Sequence, residues 1–170
     1  MGKDARERVR IAEAMAADCI AVRVRFIGRV VTSLYDRILR KFDIKVNQAS
    51  ILVFLTIHSG SGPGDIGTAL RMEKSTVSRN LDRMRKKGWI EVRPRDEGPS
   101  HVVRVTENGN RLLLSVHRDW QKAQASAREL LGAEGVRSVD ALYETLRKQR
   151  LSSGMRSSRE RNRTITSSEP

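Results

Sequence analysis

IGTALRMEKSTVSRNLDRMRKKGWIEVRP, residues 66–94, decides how this chain is read. Val77, Leu81 and Met84 recur at i, i+4 and i+7, which makes residues 74–87 an amphipathic helix with one apolar stripe. The positions around that stripe are basic: Lys74, Arg79, Arg83, Arg85, Lys86 and Lys87. Gly88 ends the helix, because glycine accepts the left-handed backbone of a C-cap. Upstream, residues 65–71 read as a short helix with Ile66, Ala69 and Leu70 on one side, preceded by the loop SGSGPG at 59–64. Downstream, WIEVRP (89–94) and HVVRV (101–105) each alternate, with DEGPS between them. That pattern is a hairpin whose loop is longer than a tight turn.

Short helix, turn, basic helix and hairpin follow one another in the order of a winged helix-turn-helix. Packing the 65–71 helix under the Val77, Leu81, Met84 stripe turns Lys74, Ser75, Ser78, Arg79, Arg83 and Lys86 outward. A B-DNA major groove admits one helix, and the N-terminal residues of that helix reach base edges. Ser75, Thr76, Ser78 and Arg79 lie there, and Arg79 is the candidate for a bidentate contact to guanine. Ser75 and Thr76 are candidates for helix caps as well as phosphate contacts. Arg83, Arg85, Lys86 and Lys87 are expected at phosphates, and Arg93 and Arg95 at the base of the hairpin near the backbone or minor groove. The bland alternative is a solvated basic helix on a core. Charge, helix pair and hairpin together favour DNA.

The whole composition agrees. The 170 residues carry 33 Lys and Arg against 20 Asp and Glu, a formal net charge of +13. Residues 71–104 hold ten basic and five acidic side chains, the densest positive stretch among the long segments. Such a balance points to a polyanion. A single cysteine excludes a disulfide framework and a Cys-based zinc cluster within the chain. Aromatic content of 4% argues against single-strand binders that stack bases on several rings. No run of about 18 apolar residues is present, so no membrane span is expected. MGKDARERVR opens without a signal-peptide pattern, so a cytoplasmic, nucleoid-associated protein of a bacterium or archaeon is expected. His58, His101 and His117 lack paired-ligand spacing, so no metal is expected. No catalytic constellation or cofactor motif stands out, so an enzyme is the least favoured class.

Elsewhere, Ile20, Val24, Ile27, Val31, Leu34, Ile38 and Phe42 recur at three and four residues, and residues 8–42 read as one long helix. NQASILVFLTIH (47–58) is a short helix or a buried strand, which periodicity does not decide. Thr106 stands at a helix start with Glu107 in its first turn. That helix runs to about Leu131, with Leu113, Val116, Trp120, Ala123, Ala127 and Leu130 forming a coiled-coil-like seam. Gly132 breaks it, and residues 134–150 continue with Val136, Val139, Tyr143 and Leu146 on the same spacing. The Ser/Arg-rich residues 152–170 are expected to be a basic disordered tail.

Residues 8–150 resemble the multiple-antibiotic-resistance regulator (MarR) family. The resemblance rests on a first helix ending in Leu34-Tyr35-Asp36, on Ser75-Thr76-Val77-Ser78-Arg79, on the Gly88-Trp89-Ile90 turn, and on Val105-Thr106-Glu107-Asn108-Gly109. It implies a mainly α protein with a small β-hairpin wing, flanked by N- and C-terminal dimerisation helices. The expected segments are 1–45 (dimerisation), 46–106 (DNA-binding lobe), 107–151 (dimerisation) and 152–170 (tail). It also makes residues 47–58 a helix. It further implies a homodimeric transcription regulator or repressor, on a pseudo-palindromic operator, that responds to a small-molecule effector. The dimer contacts would come from Ile11, Met15, Val116, Trp120, Ala123, Ala127, Leu130, Val139 and Tyr143. Arg23, Arg25 and Arg29 lie where the family's effector cleft opens. They are candidates to receive a carboxylate, although plain surface charge is the favoured reading of them.

The chain departs from the family pattern in three places. The wing tip has no arginine between Arg95 and Arg104, with His101 a weak substitute. Lys45 stands where the family places Ser or Thr, which moves the expected cap to Asn47. A basic extension follows the family core.

Three rival readings carry less weight. GPGDIG (62–67) matches a dinucleotide-binding turn in letters but lacks a βαβ unit. Cys19 offers a redox-sensing alternative, but the peroxide-sensing branch of the family would place its cysteine at Ala21, and a cysteine on an apolar helix is more often buried and inert. A non-specific architectural DNA binder and a protein-interaction module complete the alternatives. Trp89 and Trp120 are expected to fill cores.

Overall fold

The computed structural model describes the backbone of residues 2–94 and 101–165 and the side chains of these residues up to 148, Lys3 excepted. Arg95 and the expected wing tip, 96–100, lie outside the described residues. The elements are α1 (Lys3–Asp18), α2 (Ile20–Leu39), a 3-10 turn (Arg40–Phe42), α3 (Val46–Ile57), α4 (Pro63–Leu70), α5 (Lys74–Lys86), β1 (Ile90–Pro94), β2 (His101–Val105) and α6 (Glu107–Ile165). The mainly α class with a single hairpin is as expected. Two compact units divide the chain, Met1–Ala125 and Ser126–Pro170.

In the first unit, Leu39 and Ile44 meet Ile51, Leu52 and Leu55 of α3, Ile66 of α4, Val77, Leu81 and Met84 of α5, Ile90 and Val103 of the hairpin, and Val116 of α6. One apolar cluster therefore gathers every element of the helix-turn-helix and wing. The 47–58 stretch is helical as far as Ile57, with His58 as the C-cap. Gln48 accepts a hydrogen bond from the Lys45 backbone N–H at 3.1 Å and Asp36 accepts one from the Val46 N–H at 2.8 Å. These two side chains close the N-terminus of α3, so Asn47 is not its cap. The glycine-rich loop is shorter than expected. Gly62 is the N-cap of α4, its N–H donating to Asp65 at 2.8 Å, and Pro63 occupies the first turn, where its missing N–H costs nothing.

The expected single helix over 8–42 is two helices. The backbone is extended at Cys19 (φ −74°, ψ 105°). No proline or glycine marks the break. Arg23 reaches back across it, donating to the Ala17 carbonyl and pairing with Asp18 at 3.6 Å, and so satisfies a carbonyl that the interrupted helix leaves free. Arg23 is thereby engaged locally rather than presented as a lone cation.

The N-terminus of α6 is as expected: the Thr106 hydroxyl accepts from the Gly109 N–H at 3.1 Å. The second unit is the continuation of α6, with a non-helical backbone at Gly132 (φ 65°), the expected break. The helix then runs through most of the segment expected to be disordered. Extending a formed helix needs no new nucleus, and no proline stands in 152–165 to stop it. Residues 166–170 lie outside the described ones.

Candidate nucleic-acid interface

The stripe that orients α5 is buried as its spacing requires, with Val77 at 1%, Leu81 at 6% and Met84 at 0% exposure. Burying this stripe fixes the helix rotation. Lys74, Ser75, Ser78, Arg79, Arg83 and Lys86 are all exposed on the other side, and Thr76 is half-buried. The six side chains that the spacing placed outward therefore share one solvent-facing surface.

The two ends of α5 are built differently. Glu73 is the N-cap and makes no side-chain cap bond, so the helix starts with backbone N–H groups unclaimed by a capping side chain. Neither Ser75 nor Thr76 caps it. Both lie inside the first turns, and the Thr76 carbonyl accepts from Asn80 at 2.8 Å. The free N–H groups and the helix dipole favour an anion there. At the other end Gly88 has φ 69°, its N–H donates to Arg85 O at 2.9 Å, and the Trp89 N–H donates to Met84 O at 3.0 Å. This two-bond closure consumes the last carbonyls and starts the wing.

Arg79 lies folded along α5. Its Nε donates to Ser75 O at 3.0 Å and a terminal nitrogen reaches the Ser75 hydroxyl at 3.3 Å. Both contacts are exposed, so extending the guanidinium towards another acceptor breaks only bonds that water can replace. Arg85 pairs loosely with Asp82 at 3.9 Å. Lys87, expected at a phosphate, is turned inward: it pairs with Asp43 at 2.6 Å and lies 4.5 Å over the Trp89 ring. Trp89 is buried, as expected.

The hairpin is antiparallel, with Ile90 opposite Val105 and Pro94 opposite His101. The Val103 N–H donates to Ser61 O at 2.9 Å, which ties β2 to the loop before α4. Arg93 is exposed and pairs with Glu91 at 3.0 Å. Between α4, α5 and the hairpin lies a cavity of about 670 Å³ edged by Lys74, Ser78, Asp82, Arg85 and His101.

A second cavity, of about 680 Å³, opens between α3 and the first turns of α6. Val53, Phe54, Ile57, Leu114, His117 and Trp120 line it, and no charged side chain does. Sequence reasoning missed this cavity because its two walls are about 60 residues apart. Trp120 is 42% exposed here, stacked with His117 at 6.4 Å, and does not fill the core. Arg23, Arg25 and Arg29 do not line the cavity.

The expected dimer residues divide into two groups. Val116, Ala123 and Ala127 are buried within the single chain, Val116 in the main core. Ile11, Met15, Trp120, Leu130, Val139 and Tyr143 are exposed. Cys19 is half-buried at the helix break, and among the described residues no group of three His, Cys, Asp or Glu is placed to hold a metal ion. Among the described residues no helix is long and apolar enough to cross a membrane.

Residues 42–98 match the model of the MarR family. No curated protein matches the chain significantly. Among solved structures, the fold is similar to a cysteine-to-serine mutant of MarR from E. coli complexed with operator DNA (TM-score 0.68, 19% identity, 78% of this chain and 96% of that one). It is also similar to the S. aureus MepR–DNA complex (0.64, 21%, 76% and 97%). A third likeness is to the M. tuberculosis transcriptional regulator MosR (0.66, 22%, 79% and 98%). The resemblance carried by Ser75–Arg79 and its neighbours is borne out over residues 42–98, which the family model covers, and the fold alone is shared over most of the chain.

Proposed function

We propose, from the premise that residues 42–98 match the MarR family, that this chain is a transcription regulator that binds double-stranded DNA through α5. The observation that carries the reading is the rotation of α5. Its apolar stripe is fully used by the core, while a continuous basic and hydroxyl face is left to solvent. Ser75, Thr76, Ser78 and Arg79 enter the major groove, with Arg79 at a guanine edge. Lys74, Arg83, Lys86 and Arg93 meet phosphates. Two of the solved structures with this fold are DNA complexes, which supports the same use of the lobe here.

The chain acts as a homodimer in the cytoplasm. Ile11 and Met15 near the N-terminus and Leu130, Val139 and Tyr143 towards the C-terminus leave large apolar side chains in water, and a second copy covers them. Two recognition helices then read a pseudo-palindrome whose half-sites lie about 34 Å apart. The apolar cavity between α3 and α6 receives a small effector that shifts the spacing of the two reading heads, and so releases both half-sites together.

Selection of bound sequences from a random duplex pool at near-physiological salt tests this. A recovered pseudo-palindrome with half-sites one turn apart supports the reading. Recovery without a motif contradicts it in favour of a non-specific architectural binder, and recovery of no duplex at all contradicts DNA binding itself.

A further inference from the structure

Lys87 follows the last residue of α5 and is the one cation of the Arg83–Lys87 cluster that is half-buried rather than exposed. Its ammonium donates to the backbone carbonyl of Asp43, pairs with the Asp43 carboxylate at 2.6 Å, and sits 4.5 Å from the centre of the buried Trp89 ring. Asp43 is itself fixed. It holds a left-handed backbone (φ 53°) at the corner between the 3-10 turn and α3, with its N–H donating to Arg40 O at 2.9 Å. One side chain thus joins three things: the corner between α2 and α3, the end of the recognition helix, and the first residue of the wing.

We propose that Lys87 is a positioning residue for DNA reading: bound to Asp43 and Trp89, it sets the tilt of α5 and does not contact DNA. The inference rests on the reading of α5 as the recognition helix. Its physical basis is leverage. A helix of 13 residues is about 20 Å long, so a tilt of about 3° at its C-terminal end displaces the far end by about 1 Å. Ser75 lies at that far end and Arg79 near the middle of α5, where the displacement is about half as large, and a bidentate hydrogen bond to a base weakens steeply with misalignment. The apolar stripe fixes how α5 is rotated about its axis. The stripe alone leaves tilt less constrained, and the Lys87 contacts act at the end where tilt is set.

The charges allow a clean test, because the two partners have opposite signs. If only electrostatics mattered, Lys87→Gln would weaken DNA binding and Asp43→Asn, which removes a negative charge, would strengthen it. A positioning pair predicts that both substitutions weaken specific binding. The Asp43 side chain is 87% exposed, so its replacement buries nothing and leaves the fold intact. The measurement compares wild type, Lys87→Gln and Asp43→Asn on a duplex that the wild-type protein selects from a random pool, and on a random-sequence duplex of equal length, over a salt series. The expected result is a fall in the ratio of specific to random affinity of roughly three- to tenfold in both variants. The dependence of log affinity on log salt stays that of wild type. Equal loss on both duplexes with a salt slope lower by about one would make Lys87 a phosphate contact and overturn the proposal. Tighter binding by Asp43→Asn would overturn it as well.

The indole N–H resonance of Trp89 in the free protein gives a readout that needs no DNA. Both substitutions are expected to shift it, and an unmoved resonance in both would show that the contact does not exist in solution. A wild-type protein that selects no duplex overturns the DNA reading, and the positioning role with it. The two failures are distinct, since the Trp89 resonance reports on the contact in either case.

Discussion

Gly109 and the carbonyl of Trp89 approach so closely that a Cβ at Gly109 would stand 2.2 Å from the oxygen. The first turn of α6 is pressed against the start of the wing, and only a residue without a side chain fits. The Thr106 hydroxyl completes the joint by donating to Gly88 O at 2.6 Å while accepting from the Gly109 N–H. Gly109→Ala is expected to cost about 3 kcal/mol, because the neighbour is backbone and cannot swing aside. Urea denaturation measures this. Gly64→Ala, with nothing within 4 Å of its added methyl, is the matched control and is expected to be neutral or mildly stabilising.

Met84 is fully buried in the core beneath α5, whereas its neighbour Arg85 faces solvent. Met84→Ala is expected to destabilise the first unit by about 3 kcal/mol. Arg85→Ala is expected to stay within about 0.5 kcal/mol of wild type. Thermal or chemical unfolding of the two variants separates the effects, and equal effects would contradict the rotation assigned to α5.

Asp119 on α6 is buried, and a hydrogen bond from Lys41 holds its carboxyl below the usual carboxylate range, opposed by burial and aided by Lys122. Lys41 lies at 2.9 Å and Lys122 at 3.4 Å. A depressed folded-state pKa means that the stabilisation is present above the unfolded value, about 3.9, and is lost as pH falls through the folded value. The stability difference between wild type and Asp119→Asn is therefore expected to be constant near neutrality and to shrink below about pH 4. A difference that persists unchanged into acid would show that the carboxylate charge is not what matters at this position.

How far the sequence carried these conclusions differs by element. The Val77, Leu81, Met84 stripe was legible because the rest of α5 is polar, so a period near 3.6 stands out. Gly88 was legible as a helix end for the same local reason. Residues 47–58 were ambiguous, because apolar side chains lie all around α3: Ile51 and Leu52 are buried while Val53 and Ile57 remain exposed. The break at Cys19 leaves no mark in local composition, since Arg23 closes it from four residues further on. Lys87 resembled its basic neighbours until the fold brought Asp43, 44 positions earlier in the chain, to its side. Residues 152–165 read as disordered by composition, yet their backbone continues a helix begun by other residues. Local patterns were readable where one face of one element decides the outcome. Pairings across the chain were not.

In the proposed reading, α5 reads base edges with Arg79 while Lys86 supplies charge. The most direct test is a competition between the selected duplex and a random duplex of equal length for wild type, Arg79→Ala and Lys86→Ala. Arg79→Ala is expected to lose about 1–3 kcal/mol of discrimination and to relax the sequence preference at one position in each half-site. Lys86→Ala is expected to weaken both duplexes alike and to reduce the salt slope by about one. Unchanged discrimination in Arg79→Ala would contradict the account.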